Sequence, residues 1–251
     1  MKELLYNKAY EKFTPDWFEN LAAVDQYLYE NNRTLREFWD QYIEQFFTHS
    51  NKKFKVLDLG CGLGGFSLYL AEKGHEVIGI DISELAIQNA NYLANIKNLG
   101  DRVRFLKVDI TNQTKLGHDF DFIFDSHLLH CLTSDAERKA YFDFIKSHMH
   151  AETHYLLETM AFQKGLRTPL EYNFDDNYTL WKSNGDGEEY ALRKILPSFE
   201  LEQEVKANLL EINFLYFHAE LTFHVFTEEP DYPIQHLPQT LRLAAKLSSN
   251  A

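Results

Sequence analysis

Short apolar runs alternate with amphipathic segments of helical length from residue 54 onward. Short apolar runs predict buried strands, and apolar residues spaced three or four apart predict helices. The alternation of the two is typical of βαβ units around a parallel sheet with right-handed crossovers. We therefore predict strands at 54–59, 76–80, 103–108, 120–125 and 154–159, separated by helices at 64–73, 83–99 and 134–148.

The first 50 residues follow a different pattern, which predicts a helical N-terminal extension. Pro15 with its neighbours Thr14 and Asp16 resembles the start of a helix, and the segment from Thr34 to Glu37 resembles a capping box that opens another. Apolar residues then recur at helical spacing, which predicts one buried face. We expect this extension to pack on the core, with a lid over a site as the alternative.

The alternation stops after residue 159 and resumes near residue 199. Residues 161–197 are rich in Asn, Asp, Gly and aromatic residues and are too long for a plain loop, so we predict an insertion that shapes a pocket. Further strands are predicted at 199–205 and 220–227. The expected fold is α/β: one domain at 51–230 with a doubly wound, mostly parallel sheet and helices on both faces, followed by a C-terminal tail at 231–251.

Composition and charge narrow the possible partners. The 25 Lys and Arg residues against 38 Asp and Glu residues give a formal charge of −13, which repels a polyphosphate backbone, so we expect no nucleic-acid partner. The two cysteines, Cys61 and Cys131, exclude a disulfide framework and fit a reducing compartment. The sequence shows no signal-peptide pattern and no long apolar run, so we expect a cytoplasmic protein without a membrane partner.

The segment from Val56 to Gly65 has the most specific chemistry of the chain, with four of the eleven glycines. Glycine lets the backbone turn sharply at a strand end and lets a ligand approach closely. The spacing of Gly60, Gly62 and Gly65 also suits a dinucleotide, so an NAD(P)-dependent oxidoreductase is an alternative. Asp58 favours a ligand without phosphate, because its carboxylate would repel a pyrophosphate.

Two further acids end the next two predicted strands. Asp81 follows Gly60 by 21 residues and is placed to accept hydrogen bonds from ribose hydroxyls. Asp109 ends the third strand, where a carboxylate can accept from an adenine amino group. Each acid alone is weak evidence, because aspartate is also a common helix N-cap. Together they lie where open α/β sheets bind ligands, at the carboxyl ends of consecutive strands.

With these residues the chain resembles the class I S-adenosylmethionine-dependent methyltransferases that act on small molecules. Residues 56–64 resemble the first motif of that family, Asp81 its ribose-binding acid and Asp109 its adenine-side acid. The resemblance covers about residues 50–160 and implies a seven-stranded sheet whose last strand, 220–227, is antiparallel. It also implies S-adenosylmethionine as cofactor, bound by Asp58, Gly60, Cys61, Gly62, Asp81, Ile82, Asp109, Ile110 and Ser126.

His127 and His130 follow the fourth predicted strand and are the candidate catalytic residues. Methyl transfer is an in-line displacement, which needs alignment, exclusion of water and, for a protonated nucleophile, a base. We prefer His127 as that base; the alternative is that either imidazole only bonds the backbone. The predicted function is methyl transfer to a small-molecule acceptor, with oxygen as the favoured nucleophile. A non-catalytic module that binds S-adenosylmethionine is a further alternative.

No metal is expected. Asp125 together with residues 175–177 could hold a divalent ion, but such an Asp/Asn cluster is usually a turn. Aromatic residues of the extension and the insertion are expected to form apolar pocket walls. These residues are Tyr6, Tyr10, Phe13 and Trp17 in the extension and Tyr172, Phe174, Tyr178 and Trp181 in the insertion.

Overall fold

The computed structural model describes residues 2–48, 51–112, 115–117, 119–164, 166, 168–183, 188–209, 212–217 and 238–247. The helices are α1 (Lys2–Tyr10), α2 (Leu21–Phe47), α3 (Gly65–Glu72), α4 (Glu84–Ile96), α5 (Asp135–His148) and α6 (Ser198–Asn208). The strands are β1 (Lys55–Leu59), β2 (Glu76–Asp81), β3 (Val103–Lys107), β4 (Phe122–Ser126), β5 (His154–Ala161), β6 (Tyr172–Phe174), β7 (Thr179–Ser183), β8 (Glu189–Lys194), β9 (Ile212–Phe217) and β10 (Gln239–Leu247).

Seven of these strands form one sheet in the order β3-β2-β1-β4-β5-β10-β9. The pairs among β1 to β5 are all parallel, whereas β10 is antiparallel to both of its neighbours. Parallel neighbours cannot be joined by a tight turn, and helices α3, α4 and α5 serve as the crossovers. The predicted α/β fold with one antiparallel strand is confirmed.

The sheet is buried on both faces. Val56 and Phe124 pack into a cluster on the side of α2, whereas Leu57 and Ile123, their neighbours along the same strands, pack into a cluster on the side of α5. Successive residues of a strand point to opposite faces. Two covered faces therefore explain why these strands appear in the sequence as unbroken apolar runs.

Helix α2 is one continuous helix of 27 residues. The Asn20 side chain caps its start by accepting a backbone hydrogen bond from the third residue that follows. Trp39 is buried and packs edge-on against Phe122, with 4.8 Å between ring centroids. The predicted helix start at Thr34 is wrong: Thr34 lies inside α2, and its hydroxyl donates to Glu158 at 2.6 Å.

The predicted strand at 199–205 is also wrong, because these residues lie in helix α6. Apolar residues at alternate positions imitate a strand in the sequence. In the structure Leu201 and Val205, four residues apart, are buried against the sheet, and Phe199 is left 70% exposed. A helix buries one side of such a segment and leaves the other in water.

The antiparallel strand predicted by the resemblance exists, but it is β10, in the segment that we assigned to a C-terminal tail. Residues 220–227 lie outside the described residues. Leu243 and Ala245 pack on one face of the sheet and Ala244 on the other, so this segment has the two-residue period of a strand. Within the described part of the chain, no helix is long and apolar enough to cross a bilayer.

Residues 161–197, predicted as an insertion, contain a second sheet of three antiparallel strands in the order β6-β7-β8. A small apolar cluster holds it against the end of β5, with Met160, Tyr172, Leu180 and Ile195 as its buried members. Strand β8 contacts the 3-10 turn Leu129–Cys131, which follows β4. The insertion therefore reaches the carboxyl ends of the central strands.

Candidate active site

The glycine turn between β1 and α3 forms the floor of the site. Gly60, Gly62 and Gly64 have φ values of 72°, 53° and 77°, in the left-handed region that favours glycine. The Gly60 N–H donates to the Ile80 carbonyl at 2.9 Å, which fixes the turn to the end of β2. A Cβ on Gly64 would lie 2.3 Å from the Phe105 ring, so packing as well as backbone conformation requires glycine there.

A cavity of about 550 Å³ lies above this turn, at the carboxyl ends of the central strands. Three of the predicted cofactor residues, Asp58, Cys61 and Gly62, are not part of its wall. The other predicted site residues line it: Gly60, Asp81, Ile82, Asp109, Ile110, Ser126, His127 and His130.

The two predicted nucleoside acids lie on one side of the cavity. Asp81 accepts hydrogen bonds from the backbone N–H groups of Gly62 at 3.0 Å and Ser83 at 2.8 Å, and burial raises its pKa. Asp109 accepts from the Thr111 N–H at 2.9 Å and so caps the 3-10 turn that follows β3. Asp109 is therefore both a cap and part of the cavity wall.

Asp58 lies completely buried beneath the cavity. It accepts a hydrogen bond from the Ser67 hydroxyl at 2.6 Å and another from the Ser126 hydroxyl. Burial raises the pKa of Asp58 to about 6, although both hydroxyl donors oppose the rise. Ser126 lines the cavity, so its side chain connects the buried Asp58 carboxyl group to the cavity wall. Cys61 is buried, and burial raises the pKa of its thiol.

His127 forms a dyad with Glu158. Its Nε2 lies 2.8 Å from the Glu158 carboxylate, which also accepts from Arg242 at 2.6 Å and from Thr34. Burial alone would raise the pKa of Glu158, but the bond to His127 and the charge of Arg242 hold it below its usual value. An ionised carboxylate only accepts hydrogen bonds. The neutral imidazole therefore has its proton on Nε2, and Nδ1 is the atom that can accept one.

His130 is buried, and its Nδ1 already accepts a hydrogen bond from the Met160 N–H at 3.3 Å, with the Thr159 hydroxyl at 3.0 Å. Burial lowers its pKa well below the usual value, and the charge of Arg193 adds to this. A neutral imidazole whose Nδ1 accepts has its proton on Nε2. His130 is thus suited to donate a hydrogen bond from Nε2.

Two elements outside the predicted cofactor motifs, α1 and β8, contribute to the wall. Tyr6 and Tyr10 come from α1, and the Tyr10 hydroxyl lies over Gly62. Of the other aromatic residues predicted for the wall, Phe13 and Trp17 pack on each other instead, at 4.7 Å. Arg193 of β8 also lines the cavity, but it was not predicted from the sequence. The prediction assigned only aromatic residues of the insertion to the cavity wall. The sequence clue that could have identified Arg193 was the presence of an arginine within that insertion.

The aspartates considered for a metal are committed to separate turns. Asp125 is buried and accepts from the N–H groups of Leu128 at 2.6 Å and Leu129 at 3.0 Å. Asp175 accepts from the Trp181 indole at 3.1 Å within the insertion. The described residues contain no group of His, Cys, Asp and Glu side chains that could hold a metal ion.

Known proteins provide an independent comparison for this geometry. A family model described as a methyltransferase domain matches residues 50–206, which include the glycine turn, the acids at the strand ends and both histidines. The chain belongs to this family. Membership favours the methyltransferase prediction over the nicotinamide-dependent alternative, which shares the glycine spacing but gives Asp58 and Asp109 no function.

Among relatives of this chain, a 2-heptyl-1-hydroxyquinolin-4(1H)-one methyltransferase from Mycobacteroides abscessus is 41% identical over 90 residues, 36% of this chain and 37% of that protein. Phosphoethanolamine N-methyltransferase 1 from Zea mays is 34% identical over 128 residues, 45% of this chain and 25% of that protein. Some shorter matches are named RNA methyltransferases. The chain thus spans well under half the length of these two curated relatives.

A solved structure supports the fold over most of the chain. An S-adenosylmethionine-dependent methyltransferase from Clostridium acetobutylicum superposes with a TM-score of 0.60 at 15% identity, covering 90% of this chain and 100% of that one. At this identity the likeness concerns the fold alone.

Proposed function

We propose that this methyltransferase transfers the methyl group of S-adenosylmethionine to an oxygen nucleophile on a small-molecule acceptor. The observation that supports it most is the convergence of Asp81, Asp109 and the glycine turn on one cavity of about 550 Å³, with the His127–Glu158 dyad on the opposite side. Such a cavity has the volume of a small-molecule site.

The chain's own residues suit this cofactor. Asp81 would accept from the ribose hydroxyls and Asp109 from the adenine amino group, while Gly60 lets the ligand lie close to the backbone. The buried Asp58 charge beneath Ser126 favours a cationic ligand and opposes a pyrophosphate. When bound, S-adenosylmethionine supplies an electrophilic methyl group on a sulfonium.

His127 provides what a hydroxyl acceptor needs. The nucleophilic oxygen must lose its proton as its bond to the methyl carbon forms, and Nδ1 of His127 would take that proton. The imidazolium that results would be stabilised by the ionised Glu158, 2.8 Å from Nε2. A small molecule rather than RNA is favoured, because the formal charge of −13 opposes a polyanionic substrate.

Two measurements test the proposed function. In titration calorimetry, S-adenosylmethionine should bind and NADH should not. Incubating the protein with methyl-labelled cofactor and a metabolite extract should then give a labelled small molecule. Binding without any labelled product would support a non-catalytic module, and binding of NADH alone would support an oxidoreductase. Label in the RNA fraction of the extract would overturn the choice of acceptor class.

The raised pKa of Asp58, about 6, predicts a pH dependence of cofactor affinity. A carboxyl with this pKa is ionised above pH 6 and becomes neutral below it, and a bound cation favours the ionised form. We therefore expect affinity for S-adenosylmethionine to be nearly constant between about pH 6 and pH 7, where its α-amino group stays protonated, and to fall by up to about tenfold per pH unit below about pH 6. Calorimetry between about pH 5 and pH 7 measures this.

Methylthioadenosine is the matched control for Asp58, because it has the adenosine part without the ammonium and sulfonium charges. Its affinity should change little over the same pH range, and Asp58→Asn should remove most of the pH dependence seen with S-adenosylmethionine. If both ligands lose affinity equally as the pH falls, the titrating group is Asp81 at the ribose, and the assignment to Asp58 is wrong.

A further inference from the structure

The cavity has an uneven distribution of charge. Its acids Asp81 and Asp109 lie at the ends of β2 and β3. Across the glycine turn, the wall is formed by His130 after β4, Met160 of β5 and Arg193 of β8. Among the described residues that line the cavity, Arg193 is the only lysine or arginine. A positive charge is thus placed on the side away from the nucleoside acids.

The Arg193 side chain is half-buried, and its guanidinium has few hydrogen-bond partners among the described residues. Nη1 donates to the Leu192 carbonyl at 2.8 Å, and Nε is buried without a hydrogen-bond partner among the described residues. Burial opposes the charge, and the pKa of Arg193 is raised overall by neighbouring groups, chiefly the Cys131 thiol and the phenols of Tyr6 and Tyr10. These neighbours are not carboxylates. The guanidinium therefore keeps its charge, and no carboxylate of the described residues forms an ion pair with it.

The third carboxylate that lines the cavity, Glu137, is already engaged in a helix cap. Glu137 accepts from the N–H groups of Thr133 at 3.2 Å and Ser134 at 3.0 Å in the capping box of α5. By contrast, Arg138, one residue further, is buried with a partner: Glu204 accepts from its guanidinium at 2.6 Å. Among the described residues, the two fully buried arginines, Arg138 and Arg242, are each paired with a glutamate. Leaving the half-buried guanidinium of Arg193 unpaired, with its Nε atom out of contact with water, is costly unless a ligand provides the anion.

We propose that Arg193 binds an anionic group, a carboxylate or an acid of similar charge, on the methyl acceptor. This inference rests on the proposed function, since it concerns the acceptor half of the same cavity. The planar guanidinium offers two parallel donors, which match the two oxygens of a carboxylate. The anion would lie beside His130, whose protonated Nε2 is suited to donate as well. The acceptor would then present its hydroxyl to His127 and its acid to Arg193.

Binding of a matched pair of probes tests the proposal without turnover. Benzoate and benzamide have almost the same shape and differ in charge. We expect benzoate to bind the protein saturated with S-adenosylhomocysteine about ten- to a hundredfold more tightly than benzamide. Arg193→Gln should remove this preference. Lys194→Gln should retain it, because Lys194 pairs with Asp135 and does not line the cavity. Equal binding of the two probes to the wild type would overturn the proposal.

A second titration tests the alternative that Arg193 binds the carboxylate of the cofactor and not an acid on the acceptor. If Arg193→Gln weakens S-adenosylhomocysteine by more than about tenfold but leaves methylthioadenosine unchanged, Arg193 binds the cofactor and the acceptor proposal is wrong. We expect both affinities to stay at the wild-type value. Failure of the wild type to bind S-adenosylhomocysteine would instead refute the proposed function, and the benzoate comparison on the unliganded protein would still decide about Arg193.

Discussion

Replacing Glu158 by alanine is expected to lower the free energy of unfolding by about 3–5 kcal/mol, because it leaves a buried charge without its partner. Glu158 is completely buried, and Arg242, only 4% exposed, donates to it at 2.6 Å. The same carboxylate accepts from Thr34 of α2 and meets His127 of the β4 loop. Its removal therefore breaks the hydrogen bonds that connect β5 to α2, to β10 and to the β4 loop. Urea unfolding followed by circular dichroism measures the change.

Glu152→Ala is the matched control on stability. Glu152 forms an ion pair with Lys246 at 2.8 Å, also between β10 and the start of β5, but its side chain is 78% exposed. Exposed pairs contribute about 0–1 kcal/mol, so this variant should unfold almost like the wild type. If the two variants lost similar amounts of unfolding free energy, burial of the Glu158–Arg242 pair would not be the cause of the loss.

Replacing His127 by asparagine is expected to lower the rate of methyl transfer by about 10²–10⁴-fold, the usual contribution of a positioned base. Asparagine is chosen because φ at this position is 69°, a left-handed conformation that asparagine tolerates better than most residues. The fold and the affinity for S-adenosylhomocysteine should therefore remain. Single-turnover transfer of labelled methyl to the acceptor found in the extract measures the rate, and calorimetry measures the affinity.

His150→Asn is the control for His127, because His150 lies in the turn after α5 and does not line the cavity. It should transfer label at the wild-type rate. If His127→Asn also kept the full rate, the acceptor would not need deprotonation by this side chain. The dyad with Glu158 would then be a structural contact of the β4 loop, as our sequence analysis considered for both histidines.

The parallel half of the fold could be predicted because its strands and crossovers repeat one pattern. Buried strands such as 54–59 and 120–125 are apolar throughout, and the glycine turn marks where the first one ends. The C-terminal half could not be predicted as well. An alternating segment suits a strand or one side of a helix equally, and the exposure of Phe199 beside the buried Leu201 and Val205 is what fits α6 and not a strand.

Some residues of the site could also be predicted from the sequence, and others could not. Asp81 and Asp109 could be placed because they end strands, and strand ends meet at one edge of a sheet. Glu158 could not be identified, since its partners His127, Thr34 and Arg242 come from distant parts of the sequence. Such a network depends on tertiary packing and leaves no periodic trace.

Helix α1 forms one wall of the cavity without belonging to the sheet or its crossovers. A few polar contacts hold it in place: Asn7 accepts from the Ser83 hydroxyl at 2.6 Å, and Glu3 pairs with Lys107. Any molecule that touches Tyr10 in the cavity gains that contact only while α1 is docked. Docking and ligand binding are therefore thermodynamically linked, and by reciprocity the factor by which a ligand favours the docked helix is also the factor by which docking raises the affinity for that ligand. The affinity of the cavity is thus set partly by a helix that lies outside the sheet and its crossovers.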